Sequence, residues 1–143
     1  MNTEALHRAV DLLSRREHSA KELTNKLKQK DFSSDDIAEV LLYLQDKNYQ
    51  SDARFAESAC NSRVNKGYGW RYIQQELSFK GVSSSVISEL KESLTIDWYY
   101  QAELAYNRRF GDSEIKDQKD KAKRIRFLQS RGFDSDQIFS LIS

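Results

Sequence analysis

An apolar pattern that returns at a near-constant interval dictates most of what this chain can fold into. Leu27, Phe32 and Ile37 recur as Leu77, Val82 and Ile87 after 50 residues, and as Leu128, Phe133 and Ile138 after another 51. With the leucines superposed, other positions agree. Three residues later there is a cation, Lys30, Lys80 or Arg131, and the next slot holds Asp31, Gly81 or Gly132. That slot reads as a helix end, where the backbone turns left-handed and glycine is favoured. Seven residues after the leucine there is always serine (Ser34, Ser84, Ser135), placed to cap a following helix, and thirteen after it an apolar residue (Val40, Leu90, Leu141). Such a period marks a row of similar supersecondary units.

Each unit reads as three helices, with repeats over 1–50, 51–95 and 96–143. Thr3 can cap a first helix that turns Leu6, Ala9, Val10 and Leu13 to one side. Ser19-Ala-Lys-Glu22 is a capping-box pattern opening a second helix with Leu23 and Leu27, and the serines after Phe32 open a third with Ile37, Val40, Leu41 and Leu44. Asp35, Asp36 and Glu22 read as helix-start charges. The second repeat starts at Ser51 with Phe55, Ala56 and Ala59 inward. It breaks at Gly67-Tyr68-Gly69 and resumes through Ile73 and Leu77 to Val86, Ile87 and Leu90. The third begins near Thr95 with Trp98, Ala102 and Ala105, crosses a polar loop at 111–117, and continues through Ile125 and Leu128 to Ile138, Leu141 and Ile142. The apolar stripes are narrow. With 38% hydrophobic and 31% charged residues and a mean hydropathy of −0.77, the chain suits several thin cores better than one thick one. Neighbouring units must share contacts to offset ordering entropy, so the expected fold is all-α, an elongated array with room to curve. The lack of proline and of sustained Val/Ile/Thr alternation agrees with helix throughout.

Several functions lose ground at once. The single cysteine, Cys60, permits no internal disulfide and reads as a small buried residue. The N-terminus lacks the basic-then-apolar layout of a secretory signal, and no apolar run approaches the ~20 residues that span a bilayer. The expectation is a protein of the reducing cytoplasm, with no membrane association. His7 and His18 have no neighbouring cysteine and no metal-ligand spacing. No nucleophile has a plausible base, and there is no nucleotide motif, so neither a cofactor nor catalysis is expected.

Charge is informative through its placement. The net charge is +1, yet residues 108–131 hold nine basic against four acidic side chains. Lys116, Lys119, Lys121, Lys123, Arg124, Arg126 and Arg131 cover most of a helix's circumference, so they cannot all meet one partner. Lys119, Lys123 and Arg126 share a face at offsets of four and three. They could join Arg131 in contacting an acidic protein surface or DNA phosphate; alternatively they form a solvated face paired with Asp117 and Asp120. Arg63, Lys66, Arg71 and Lys80 flank the Gly67-x-Gly69 break. That break is too short for a phosphate-binding fingerprint and reads as a helix stop and restart, leaving the cations around it as plausible partner contacts. Tyr68, Trp70, Tyr72 and Phe79 form an aromatic group that could stack bases, with inter-repeat packing as the simpler account. Trp98, Tyr99 and Tyr100 read as core or junction.

Three stretches together resemble a known family. Asp52-Ala-Arg54-Phe55-Ala56-Glu57, Arg63, Gly67-Tyr-Gly-Trp70-Arg71-Tyr72-Ile73-Gln74-Gln75-Glu76-Leu77 and Lys80-Gly81-Val82 are similar to the central signature of the RecX family. Lys123-Arg124-Ile125-Arg126-Phe127-Leu128 through Phe133 resembles its C-terminal signature, and Ser19 to Leu23 with Lys30-Asp31-Phe32 its N-terminal one. Asp31 stands where that family commonly has glycine, and Trp70 where proline is frequent. The resemblance implies three tandem three-helix modules and a regulator that binds RecA filaments in their groove, and the chain is expected to be a monomer. It also implies lowered RecA ATPase and strand exchange, restrained filament growth, and weak binding of nucleic acid. The candidate contacts are then Arg63, Lys66, Arg71, Lys80, Lys119, Lys123, Arg124, Arg126 and Arg131. The competing readings are a helical protein acting directly on DNA, against which the near-neutral charge argues, and a helical adaptor for another partner.

Overall fold

A computed structural model describes residues 1–143 and contains nine helices and no strand. They run α1 Thr3–Arg15, α2 Ala20–Gln29, α3 Ser34–Asp46, α4 Asp52–Asn65, α5 Trp70–Phe79, α6 Ser84–Ser93, α7 Trp98–Phe110, α8 Gln118–Ser130 and α9 Ser135–Phe139. The fold is all-α, three helices to each sequence repeat.

The repeated leucine and the apolar residue five positions on are the two ends of one helix-ending motif. The amide of Phe32 donates to the carbonyl of Leu27 at 3.3 Å, Val82 to Leu77 at 3.0 Å and Phe133 to Leu128 at 3.2 Å. Between them Asp31, Gly81 and Gly132 take φ of 67°, 86° and 97°. The left-handed residue reverses the chain, the long hydrogen bond satisfies a last-turn carbonyl, and the two apolar side chains close over the turn. Asp31 therefore makes the same turn as the glycines, at the cost of a strained left-handed side chain.

The caps lie one residue earlier than the serine spacing suggests. Ser33 accepts from the amide of Asp36, Ser83 from Val86 and Asp134 from Gln137. Ser34, Ser84 and Ser135 are already the first helical residues. Helix α1 is likewise capped by Asn2, which accepts from Ala5, and not by Thr3, while Asp97 caps α7. A cap must keep extended backbone while its side chain bends back, so the residue just before the first helical position takes the role. The Ser19–Glu22 capping box forms as expected.

Contacts divide the chain into two compact units, residues 1–58 with 77–92 and residues 59–76 with 93–143. In the first, Ala5, Ala9, Leu23, Leu27, Ile37, Val40 and Leu44 are buried together, edged by Leu6, Leu13, Phe32 and Leu41. In the second the core is Ala102, Ala105, Leu128, Phe133, Ile138 and Ile142. Val10, expected inward, is 43% exposed. The inward line of α1 is Ala5–Ala9, whose short side chains let the helix approach closely and leave Val10 beyond the contact. Cys60 is fully buried, and burial pushes its thiol up to about 11, which makes it unreactive.

Within the first unit the start of α2 docks on the end of α5. Ser19 Oγ donates to the Lys80 carbonyl at 2.7 Å and Lys21 Nζ to the Phe79 carbonyl at 3.1 Å. Glu22 lies between Arg16 (3.0 Å) and Lys80 (3.4 Å). Burial alone would raise its pKa. The Arg16 hydrogen bond, the Ser19 amide and the charges of Arg16 and Lys80 together outweigh burial and bring it down to about 2. A carboxyl depressed in the folded state contributes stability that is present above its ordinary pKa and is lost as pH falls toward its folded value. Acid unfolding between pH ~4.5 and ~2 should therefore be steep in the parent protein and shallower in Glu22→Gln. Urea midpoints taken across that range would show it, and parallel curves would remove Glu22 from the account.

Candidate partner-binding surface

The second unit contains the counterpart of that junction, and it positions most of the candidate contacts. The amide of Gly69 donates to the Arg131 carbonyl at 2.7 Å, and the amide of Arg71 to the Gly132 carbonyl at 3.1 Å. A Cβ on Gly132 would lie 2.4 Å from the Tyr72 nitrogen, and one on Gly69 would lie 2.6 Å from the Gly132 oxygen. The two glycines thus let the start of α5 and the end of α8 meet backbone to backbone. This brings Tyr68, from the central signature, against Arg131, from the C-terminal one.

From this junction a ladder of arginines and aromatic rings runs through the unit. Tyr68 and Tyr72 stack at 4.2 Å, with the Arg63 guanidinium 5.4 and 5.6 Å from their centroids. Arg131 lies 4.7 Å from Tyr68 and 5.1 Å from Phe127. Arg109 lies 5.7 Å from Phe127 and 5.6 Å from Phe110, and Arg124 lies 4.9 Å from Phe110 and 5.8 Å from Tyr106. Guanidinium–ring contacts hold a cation over an apolar face and leave its in-plane donors available.

The candidate contacts fall into three groups. Lys66 and Arg131 join Arg108 and Arg109 around a cup of about 120 Å³ floored by Gly67, Ala105 and Phe127. Lys119, Lys123 and Arg126 are exposed and line a broader cleft of about 460 Å³ with Lys116 and Phe110. Their common face, expected from spacing, is present; Arg131 is not on it. The carboxylates beside that cleft are already engaged: Asp117 caps α8, and Asp120 accepts from the Lys116 amide at 3.0 Å and from Arg124 at 3.2 Å. Those two donors, the amide first, hold the Asp120 carboxyl below its ordinary range.

Of the remaining four contacts, three are structural. Arg124 is a correction to the sequence reading: it is 3% exposed. Its guanidinium donates to the carbonyls of Ser113 (2.8 Å) and Glu114 (3.1 Å) and to the Tyr106 hydroxyl (2.7 Å), besides Asp120. It fastens the 111–117 loop to α8 and offers nothing to a partner. Arg63 is held by Glu76 at 2.9 Å, and that hydrogen bond raises its pKa above the ordinary value. Lys80 belongs to the first unit's junction, and Arg71 is exposed. The aromatic group divides as well. Trp70 is buried against Trp98 at 6.1 Å, whereas Phe79 is 75% exposed with Lys21 over its ring. Tyr99 and Tyr100, read as core or junction, are half exposed. Spacing did not single out Arg108 and Arg109, because they precede the dense run of cations by a polar loop; the local charge count over 108–131 was the signal that included them.

No set of three or more His, Cys, Asp or Glu side chains could hold a metal ion, and no helix is long and apolar enough to cross a membrane. Family models describing the first, second and third three-helix domains of RecX match residues 5–44, 51–90 and 97–142 in that order. A regulatory protein RecX of Haemophilus influenzae (strain PittEE) is 46% identical, covering 99% of this chain and 95% of its own length. Its counterpart in Vibrio parahaemolyticus is 42% identical over 94% of this chain and 87% of its own. In fold, the crystal structure of RecX from Lactobacillus salivarius superposes with a TM-score of 0.79 over 98% of this chain and 93% of that one, at 23% identity.

Proposed function

The chain belongs to the RecX family of regulatory proteins, and from that premise we propose that it binds RecA filaments and lowers their ATPase, extension and strand exchange. The observation that carries the reading is the tandem match of all three family domains, in order, along nearly the whole chain. A helical scaffold without a metal cluster or nucleotide motif acts by contact, and its contact chemistry lies in the second unit. The exposed row Lys119, Lys123 and Arg126 is the element we assign to an acidic filament surface, where complementary charge speeds encounter and fixes register. In this reading the protein acts as a monomer in the cytoplasm.

The test is the single-stranded-DNA-dependent ATPase of RecA with the protein titrated from below to above equimolar. Inhibition at substoichiometric amounts is expected and would favour blocked filament growth over competition for DNA. An unchanged rate in excess would sink the proposal. Lys119→Glu combined with Lys123→Glu should weaken inhibition about tenfold or more while leaving helicity intact. Full inhibition by that variant would move the contact elsewhere.

A second reading, direct action on DNA, draws on the unpaired cations of the same unit. It predicts binding without RecA that weakens steeply with salt.

A further inference from the structure

We propose that the cup formed by Lys66, Arg108, Arg109 and Arg131 is a binding site for a terminal phosphate, the monoester or polyphosphate end carried by a nucleotide or by a 5′-phosphorylated DNA strand. The inference does not depend on RecA and is tested without it.

The cup stands out by gathering four cations with no carboxylate in its lining, whereas Asp117 and Asp120 line the neighbouring cleft. Arg15, Arg16, Arg54, Arg63 and Arg124 each have a carboxylate within 3.2 Å. None of the four cations at the cup has one, and none of their side chains donates a hydrogen bond within the chain. Like charges gathered without counterions repel, so an arrangement that holds them together is suited to an anion. Arg131 and Arg109 are braced on Phe127 from the two neighbouring rungs of the ladder, at 5.1 and 5.7 Å. Bracing on the ring reduces the entropy lost when their donors close on a ligand.

Shape and charge select the ligand class. The cations surround a small hollow of about 120 Å³ instead of lining a track. A strand passing through would present one charge per phosphodiester, and a peptide carboxylate presents one in all. A terminal phosphate carries about −1.5 to −2 on a single group with three acceptor oxygens, which matches several guanidinium forks at once. The floor of Gly67, Ala105 and Phe127 is apolar and offers no acceptor side chain to compete for those donors.

The probe is inorganic pyrophosphate, titrated calorimetrically into the full-length protein at low salt. Two double variants accompany the parent: Lys66→Gln with Arg108→Gln, and Lys119→Gln with Lys123→Gln. Lys66 and Arg108 are exposed and make no ladder contact, so the fold does not depend on them. Pyrophosphate should bind the parent, bind the cup variant about tenfold or more weakly, and bind the cleft variant as it binds the parent. Metal-free ATP and one short oligonucleotide, with a 5′-phosphate or a 5′-hydroxyl, then identify the source. Tighter binding of the phosphorylated strand assigns a DNA end; competition by ATP without that preference assigns a nucleotide. Absence of pyrophosphate binding overturns the proposal, as does equal weakening in both variants. So does a hydroxyl-ended strand that binds as well as the phosphorylated one and is not displaced by pyrophosphate.

Discussion

Gly132→Ala is expected to destabilise the second unit by about 2–6 kcal/mol, the sum of left-handed strain and a forced backbone shift. Both contributions arise at one atom. The residue has φ of 97°, which an alanine adopts only under strain, and the added Cβ would lie 2.4 Å from the backbone nitrogen of Tyr72. A flexible side chain could move aside, but a backbone nitrogen in the first turn of α5 can move only with its helix. Relief would stretch the Gly69–Arg131 and Arg71–Gly132 hydrogen bonds that define the junction. Both tryptophans, Trp70 and Trp98, lie in this unit and against each other, so intrinsic fluorescence during urea unfolding reads it directly. Asp31→Gly is the informative companion. It occupies the same slot with φ of 67° and is exposed, and a gain of about 1 kcal/mol is expected from relieving left-handed strain alone. A Gly132→Ala midpoint equal to the parent's would mean that the junction is not formed as described.

Leu77→Asp should abolish cooperative folding, whereas Phe79→Asp, two residues on in the same helix, should be nearly silent. Leu77 is 1% exposed and its carbonyl anchors the α5 helix end through Val82. Truncating a buried leucine costs about 2–5 kcal/mol, and a carboxylate left without a partner adds a desolvation penalty. Together these approach the whole stability of an ordinary domain, about 5–15 kcal/mol. Phe79 is 75% exposed, and an aspartate there would lie near the Lys21 ammonium. Far-ultraviolet circular dichroism with thermal melting separates the two. A fully helical, cooperatively melting Leu77→Asp would count against Leu77 as the repeat's core anchor.

Much of the fold was legible because the repeat is local physics. Leu27, Leu77 and Leu128 with their partners five residues on encode a helix end whose hydrogen bond closes within six residues, and no distant contact is needed to make it. The break at Gly67-Tyr68-Gly69, the Ser19–Glu22 box and the loop at 111–117 were equally readable. The one-residue errors at Ser34, Ser84 and Ser135 came from treating a repeated serine as the cap when the neighbour before it could serve as well. Val10 was misplaced because a stripe of apolar residues is wider than the strip of helix that alanines bring into contact.

The candidate site was legible only as a charge excess. Counting cations singled out residues 108–131 and the shared face of Lys119, Lys123 and Arg126. It could not tell that Arg124 points inward to bind the loop carbonyls, because exposed and buried arginines look alike in a sequence. Nor could it join Lys66 to Arg131 and Arg108, since residues far apart in the chain meet only where the turn after α4 packs beside α7 and α5 docks on the end of α8.

By itself, then, the sequence determined the helices, their ends and their threefold repetition, all of which follow from contacts within a few residues. The tertiary structure decided why the helix-ending slot is Gly81 and Gly132 but Asp31. A Cβ at Gly81 would meet the Lys21 side chain at 2.7 Å and one at Gly132 the Tyr72 backbone at 2.4 Å, whereas the turn at Asp31 accommodates its side chain. All three slots need a left-handed turn, which aspartate tolerates; only the two where another helix presses on the turn exclude a side chain.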